Sequence, residues 1–144
     1  MQLRLRQSRR LLAGLWFVVG IFLILIVFLQ CLLGKYETRY GDAIGWLLPT
    51  VMPTLSLIAA VMTAGLFQKR KDKYVDSFIF WLAMGMSIFY LGLVAATIGV
   101  GAISEAGPLA IMRMSNLWLG PVQGLTAGCL GVFFVYPDKS STID

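Results

Sequence analysis

From Leu11 to Leu33 the chain reads LLAGLWFVVGIFLILIVFLQCLL, 23 residues without a charged side chain. A helix of that length rises about 34 Å, enough to cross the roughly 30 Å hydrocarbon core of a bilayer. Three more runs have the same character, at 45–67, 78–101 and 117–136. In hydrocarbon a backbone must satisfy its own N–H and C=O groups, and a helix does so within one segment. The expected fold is therefore an all-α membrane protein, a four-transmembrane-helix bundle forming a single domain over residues 1–144. Composition agrees: 58% of the residues are apolar and 13% charged, about half the charged share of a soluble domain. A signal peptide is the competing reading of the first run, because arginines precede it. Its apolar stretch is too long, and no small-residue cleavage site follows, so it reads as a retained helix.

Orientation follows from the basic residues. With both termini inside, the cytoplasmic side holds nine: Arg4, Arg6, Arg9, Arg10, Lys69, Arg70, Lys71, Lys73 and Lys139. The outer side holds three, Lys35, Arg39 and Arg113. This asymmetry predicts an N-in/C-in protein of a bacterial inner membrane. Aromatic residues are expected at both interfaces, with Trp16, Tyr74, Trp81 and Tyr136 inside and Tyr36, Tyr40, Trp46 and Trp118 outside. The formal charge of +5 resides in two clusters that abut apolar runs and lack interleaved aromatic groups. They fit anionic membrane lipids or a soluble cytoplasmic protein better than direct contact with nucleic acid.

The segment between the third and fourth runs, GAISEAGPLAIMRMSN, contains a stretch from Pro108 to Met114 suited to a short helix in the outer interface. Asn116 is placed to cap the fourth span. Cys31 and Cys129 are expected at depths about 15 Å apart, too far for a disulfide. With no histidine in the chain, no metal or other cofactor is expected.

Trp46-Leu-Leu-Pro49 and Trp118-Leu-Gly-Pro121 lie 72 residues apart, and the same offset pairs Thr54 with Thr126, Phe17 with Phe89 and Gly20 with Gly92. Duplication of a helical hairpin about an axis along the membrane normal would produce this. So would generic chemistry, which favours an interfacial Trp and a first-turn Pro at the start of any inward-running span. The generic account is preferred.

Two constellations carry the functional expectations. Gly120, Gly124 and Gly128 form a bare stripe along one helix face, and Gly92 with Ala96 forms another. Such stripes let a second backbone approach closely in lipid, either within the chain or between copies, and homo-oligomerisation is expected. Pro49, Pro53 and Pro121 kink the second and fourth helices and free carbonyls four residues upstream. One reading is a polar vestibule formed by Pro49, Thr50, Pro53, Thr54, Pro121 and Gln123. The other is ordinary kinks, with Pro49 merely starting its helix.

No Asp, Glu, Lys or Arg lies centrally in any span. General acid–base chemistry and ion-coupled transport therefore have no candidate residues at mid-membrane, and no catalytic site is assigned. The expected function is a non-enzymatic, self-associating membrane subunit, acting as a pore in defence or lysis, or as a sensor or anchor for a soluble partner. The alternative is a small lipid-active enzyme or carrier for an apolar substrate, using the vestibule.

Overall fold

The computed structural model describes residues 2–36, 38–66 and 74–135. Four helices carry the fold: α1 (Leu5–Leu32), α2 (Tyr40–Leu66), α3 (Ser77–Ile103) and α4 (Pro108–Val135). Each has 27 or 28 residues and so extends about 40 Å, through the hydrocarbon and into the headgroup layers. Only 28% to 39% of each candidate span is buried inside the molecule. The rest presents large apolar side chains to the surroundings, with Val18 70% and Phe22 61% exposed. In water such a continuous surface is an association hazard; in lipid it is the solvated face. The chain is a membrane protein.

Contacts run from α1 to α2, α2 to α4, α4 to α3 and α3 back to α1, and α3 with α4 shares the most extensive. The helices thus form a ring with α1 diagonal to α4 and α2 diagonal to α3. The interior is filled, with Leu12, Trp16, Ile58, Tyr90, Leu130 and Phe133 all fully buried. Trp16 stacks on Tyr90 with ring centroids 5.9 Å apart, and Phe80 lies 6.0 Å from Phe133. Two glycines permit close approach. Gly20 sits where a Cβ would meet Val51 Cγ1 at 3.3 Å, and Gly101 where it would meet Pro108 Cα at 3.2 Å.

The helices are longer than their apolar runs. α2 begins at Tyr40 rather than at 45, and α4 at Pro108 rather than at 117. Gly107, at φ 81°, turns the chain, and Pro108 follows at the first helical position, where a missing N–H costs nothing. The stretch from Pro108 to Met114 is therefore the beginning of α4 and not a separate interfacial helix. Asn116 lies exposed within α4 and caps nothing. α1 ends in a Schellman motif: Gly34, at φ 72°, lets Lys35 N–H bond Gln30 O at 3.1 Å and its own N–H bond Cys31 O at 3.1 Å.

The aromatic residues expected near the interfaces differ in how far the helices cover them. Trp16 is 0%, Tyr36 3% and Trp46 7% exposed, whereas Trp81 is 66% and Trp118 45% exposed. Rings at either end of the bundle can therefore pack between helices as well as face outward.

The four helices are joined by one small extended element. β1 (Gln2–Arg4) and β2 (Tyr74–Asp76) form a small antiparallel ribbon, with Gln2 opposite Asp76 and Arg4 opposite Tyr74. The start of the chain and the entry to α3 therefore meet at one end of the bundle. Arg9 ties the close of α4 to the same end: its Nη2 donates to Phe134 O at 2.6 Å, and its guanidinium lies 5.7 Å from the Phe134 ring centroid.

The repeated Trp-x-x-Pro motif fits neither account of it. A two-fold axis along the normal requires equivalent helices to lie diagonally, but α1 is beside α3 and α2 beside α4. Pro49 and Pro121 fall well inside their helices, so the first-turn explanation fails as well.

Replacing Trp16 by Ala is expected to destabilise the fold by about 3 kcal/mol, the order found for large buried rings. Trp16→Phe keeps a ring against Tyr90 and is expected to cost under about 1.5 kcal/mol. Unfolding titrations in mixed micelles would measure both.

Candidate functional site

α2 and α4 lie side by side and run in the same direction, and a polar seam joins them at three depths. Nearest the turns, Asp42 Oδ2 accepts from Arg113 Nη2 at 3.2 Å and from Arg39 Nη2 at 2.6 Å. All three side chains are largely exposed, so the pairs orient the residues more than they stabilise them. Deeper in, Trp46 Nε1 donates to Ser115 Oγ at 3.2 Å, and the Ser115 hydroxyl donates to Met112 O at 2.7 Å. Deeper still, Gln123 Nε2 donates to Pro49 O at 3.2 Å and approaches Thr50 O at 3.4 Å.

The last contact has a cause in the sequence. Pro53 has no N–H, so the carbonyl four residues earlier, that of Pro49, loses its helical donor. The amide of Gln123 supplies one from the neighbouring helix. Tyr90 adds a second strut from α3, its hydroxyl donating to Thr50 O at 2.8 Å. The Thr50 hydroxyl turns back to Trp46 O at 2.6 Å, a usual resting place for a helical threonine. With Trp16 stacked on Tyr90, all four helices meet at this node. The indole N–H of Trp16 is buried there without a partner, which costs on the order of 1–3 kcal/mol.

The six residues of the expected vestibule therefore divide. Thr50 and Thr54 are buried, Gln123 is partly buried, and Pro49, Pro53 and Pro121 are exposed on the outside of their helices. The Gln123 amide is engaged with the α2 backbone. Pro49 does not start its helix, because α2 begins at Tyr40.

At the turn end of the bundle an open cleft of about 340 Å³ lies between the two hairpin connections. Lys35, Tyr36, Arg39, Arg113 and residues 106–110 line it. Tyr36 donates its hydroxyl to Gln30 Oε1 at 2.6 Å. Burial, with a smaller contribution from Cys31, pushes that phenol up to about 12, so it remains a donor at neutral pH. Lys35 Nζ donates to Ala102 O at 3.0 Å, near the close of α3.

The small-residue stripes face outward. A Cβ built at Gly120, Gly124, Gly128 or Gly92 would meet nothing within 4 Å, and Ala96 is exposed. These positions do no packing inside the chain. Of the basic residues, Arg9 is bonded to Phe134 O and Arg10 is exposed. Lys69, Arg70, Lys71 and Lys73 lie outside the described residues, as do the side chains of Arg4 and Arg6. Cys31 and Cys129 are free thiols. Among the described residues no group of three His, Cys, Asp or Glu side chains gathers as a metal site.

No known protein family, curated protein or solved structure matches this chain.

A double-mutant cycle tests the node. Gln123→Leu is expected to destabilise the fold by about 1–2 kcal/mol by leaving the Pro49 carbonyl unmatched. In a Pro53→Ala background, where the helix regains its own donor, the same change is expected to cost less than half as much. Equal costs in the two backgrounds would show that Gln123 does not serve that carbonyl.

Proposed function

We propose that this chain is a non-enzymatic subunit of a membrane-embedded homo-oligomer that anchors a soluble partner, or senses for it, at its basic face. The observation that carries this reading is the open space outside Gly120, Gly124 and Gly128. A lipid-facing helix gains nothing from being bare, whereas a second helix can approach such a face closely and gain dispersion contacts. The platform reading draws support from the ribbon. Pairing Arg4 with Tyr74 brings the first arginine cluster beside the segment that directly follows Lys73. With the positive-inside bias this face is cytoplasmic, both termini are inside, and the membrane is a bacterial inner membrane.

α2 and α4 bend at Pro53 and Pro121 in this reading, and the node around Gln123 braces the bend. The rival, a lipid-active enzyme or carrier acting through Gln123, is less well supported because that amide already serves the Pro49 carbonyl. A pore would have to run between copies, since Trp16, Tyr90 and Phe133 fill the interior of one chain.

Gly124→Leu is expected to convert the oligomer to monomer with little change in unfolding midpoint, because the new side chain meets nothing within its own chain. Native mass measurement in detergent would show the change, and a wild type that is monomeric in lipid nanodiscs would sink the proposal. Changing Lys69, Arg70, Lys71 and Lys73 to Gln is expected to weaken salt-sensitive co-purification of the soluble partner while assembly persists. Dye release from proteoliposomes that Gly124→Leu abolishes would replace the anchor with a pore.

A further inference from the structure

We infer that the cleft at the turn end of the bundle is a binding site for a phosphate group, carried on a lipid headgroup or free in solution. Three cationic side chains line it, those of Lys35, Arg39 and Arg113, and no carboxylate does so among the described residues. They come from different parts of the chain: Lys35 and Arg39 from the α1–α2 connection, and Arg113 from the second turn of α4. Asp42 stands behind two of them, holding Arg39 at 2.6 Å and Arg113 at 3.2 Å through one oxygen, Oδ2. A guanidinium has five N–H donors, so both groups retain donors for a second, oxygen-rich anion in the planar geometry that favours phosphate. Glu105 is exposed in the neighbouring turn and is not part of the lining.

The floor of the cleft adds to this. Residues 106–110 belong to its lining, and they include the first turn of α4. Pro108 has no N–H, and Ile111 is the first residue to bond back, to Gly107 O at 3.5 Å. The N–H groups of Leu109 and Ala110 therefore have no partner within the helix, and the positive end of the helix dipole points into the same space. Arg39, Arg113 and the helix start thus border one cleft, with the Lys35 ammonium held at Ala102 O, 3.0 Å away. The side chains of Pro108, Leu109 and Ala110 in the same lining are apolar and would accommodate the start of a lipid's acyl chains beside its phosphate.

The test uses the full-length protein. In detergent it is titrated with inorganic phosphate. In nanodiscs of phosphatidylcholine it is compared with and without phosphatidic acid, following the unfolding midpoint and lipid retention by native mass spectrometry. Binding is expected in at least one arm and is expected to weaken about tenfold in Arg39→Gln or Arg113→Gln, the order of one charge-assisted hydrogen bond. Lys139→Gln removes the same charge elsewhere and is expected to change nothing. Phosphate binding without a lipid effect would assign the site to a soluble anion; the reverse would assign it to a headgroup. If neither probe binds, or if Lys139→Gln weakens binding as much as the arginine changes do, the site does not exist. Both arginines are exposed, and circular dichroism of each variant would confirm that the helices persist.

Discussion

The structure depends on the rule that a backbone carbonyl in hydrocarbon must find a donor. Four continuous helices satisfy nearly every one locally, and proline creates the exceptions. At Pro53 the exception is resolved across a helix boundary, where Gln123 reaches Pro49 O at 3.2 Å. One missing N–H in α2 thus accounts for why a polar amide stands in the wall of α4, where it would otherwise carry a heavy desolvation penalty.

The same logic extends along the whole α2–α4 seam. Asp42 meets Arg113, Trp46 meets Ser115, and Pro49 with Thr50 meets Gln123. Each contact pairs a group that lipid would penalise with another of the same kind. The polar contacts fall on parallel neighbours rather than on the antiparallel α3–α4 hairpin, the most extensively packed pair. Apolar packing joins the hairpins internally, and polar contacts help register one hairpin against the other.

Much of this is legible in the sequence. The four apolar runs fix the number and type of elements, because length and the absence of charge leave a bilayer-spanning chain few options. The orphan carbonyl at Pro49 was also foreseeable from Pro53 alone. The identity of its partner was not: Gln123 is distant in sequence, and only the side-by-side packing of α2 and α4 selects it. The clue was the 72-residue offset between the Trp-x-x-Pro motifs, which falls within the separations across the seam, from 69 for Trp46–Ser115 to 74 for Gln123–Pro49. The helix starts were obscured because Tyr40 to Ile44 and Pro108 to Asn116 carry polar residues. Periodic hydropathy reports where hydrocarbon ends, whereas a helix ends where Gly34 or Gly107 reverses the chain. That Trp16 and Trp46 pack between helices was not legible, because a ring suited to the headgroup layer is equally suited to filling a gap between helices.

Thr50 O takes the Tyr90 hydroxyl from one neighbour and stands within reach of the Gln123 amide from another. A single oxygen is therefore shared by three helices near the middle of the bundle. Rotating α4 enough to withdraw the amide would leave the phenol as its only cross-helix donor, and tilting α3 would do the converse. Displacing either helix would therefore cost the same turn of α2 one of its cross-helix partners.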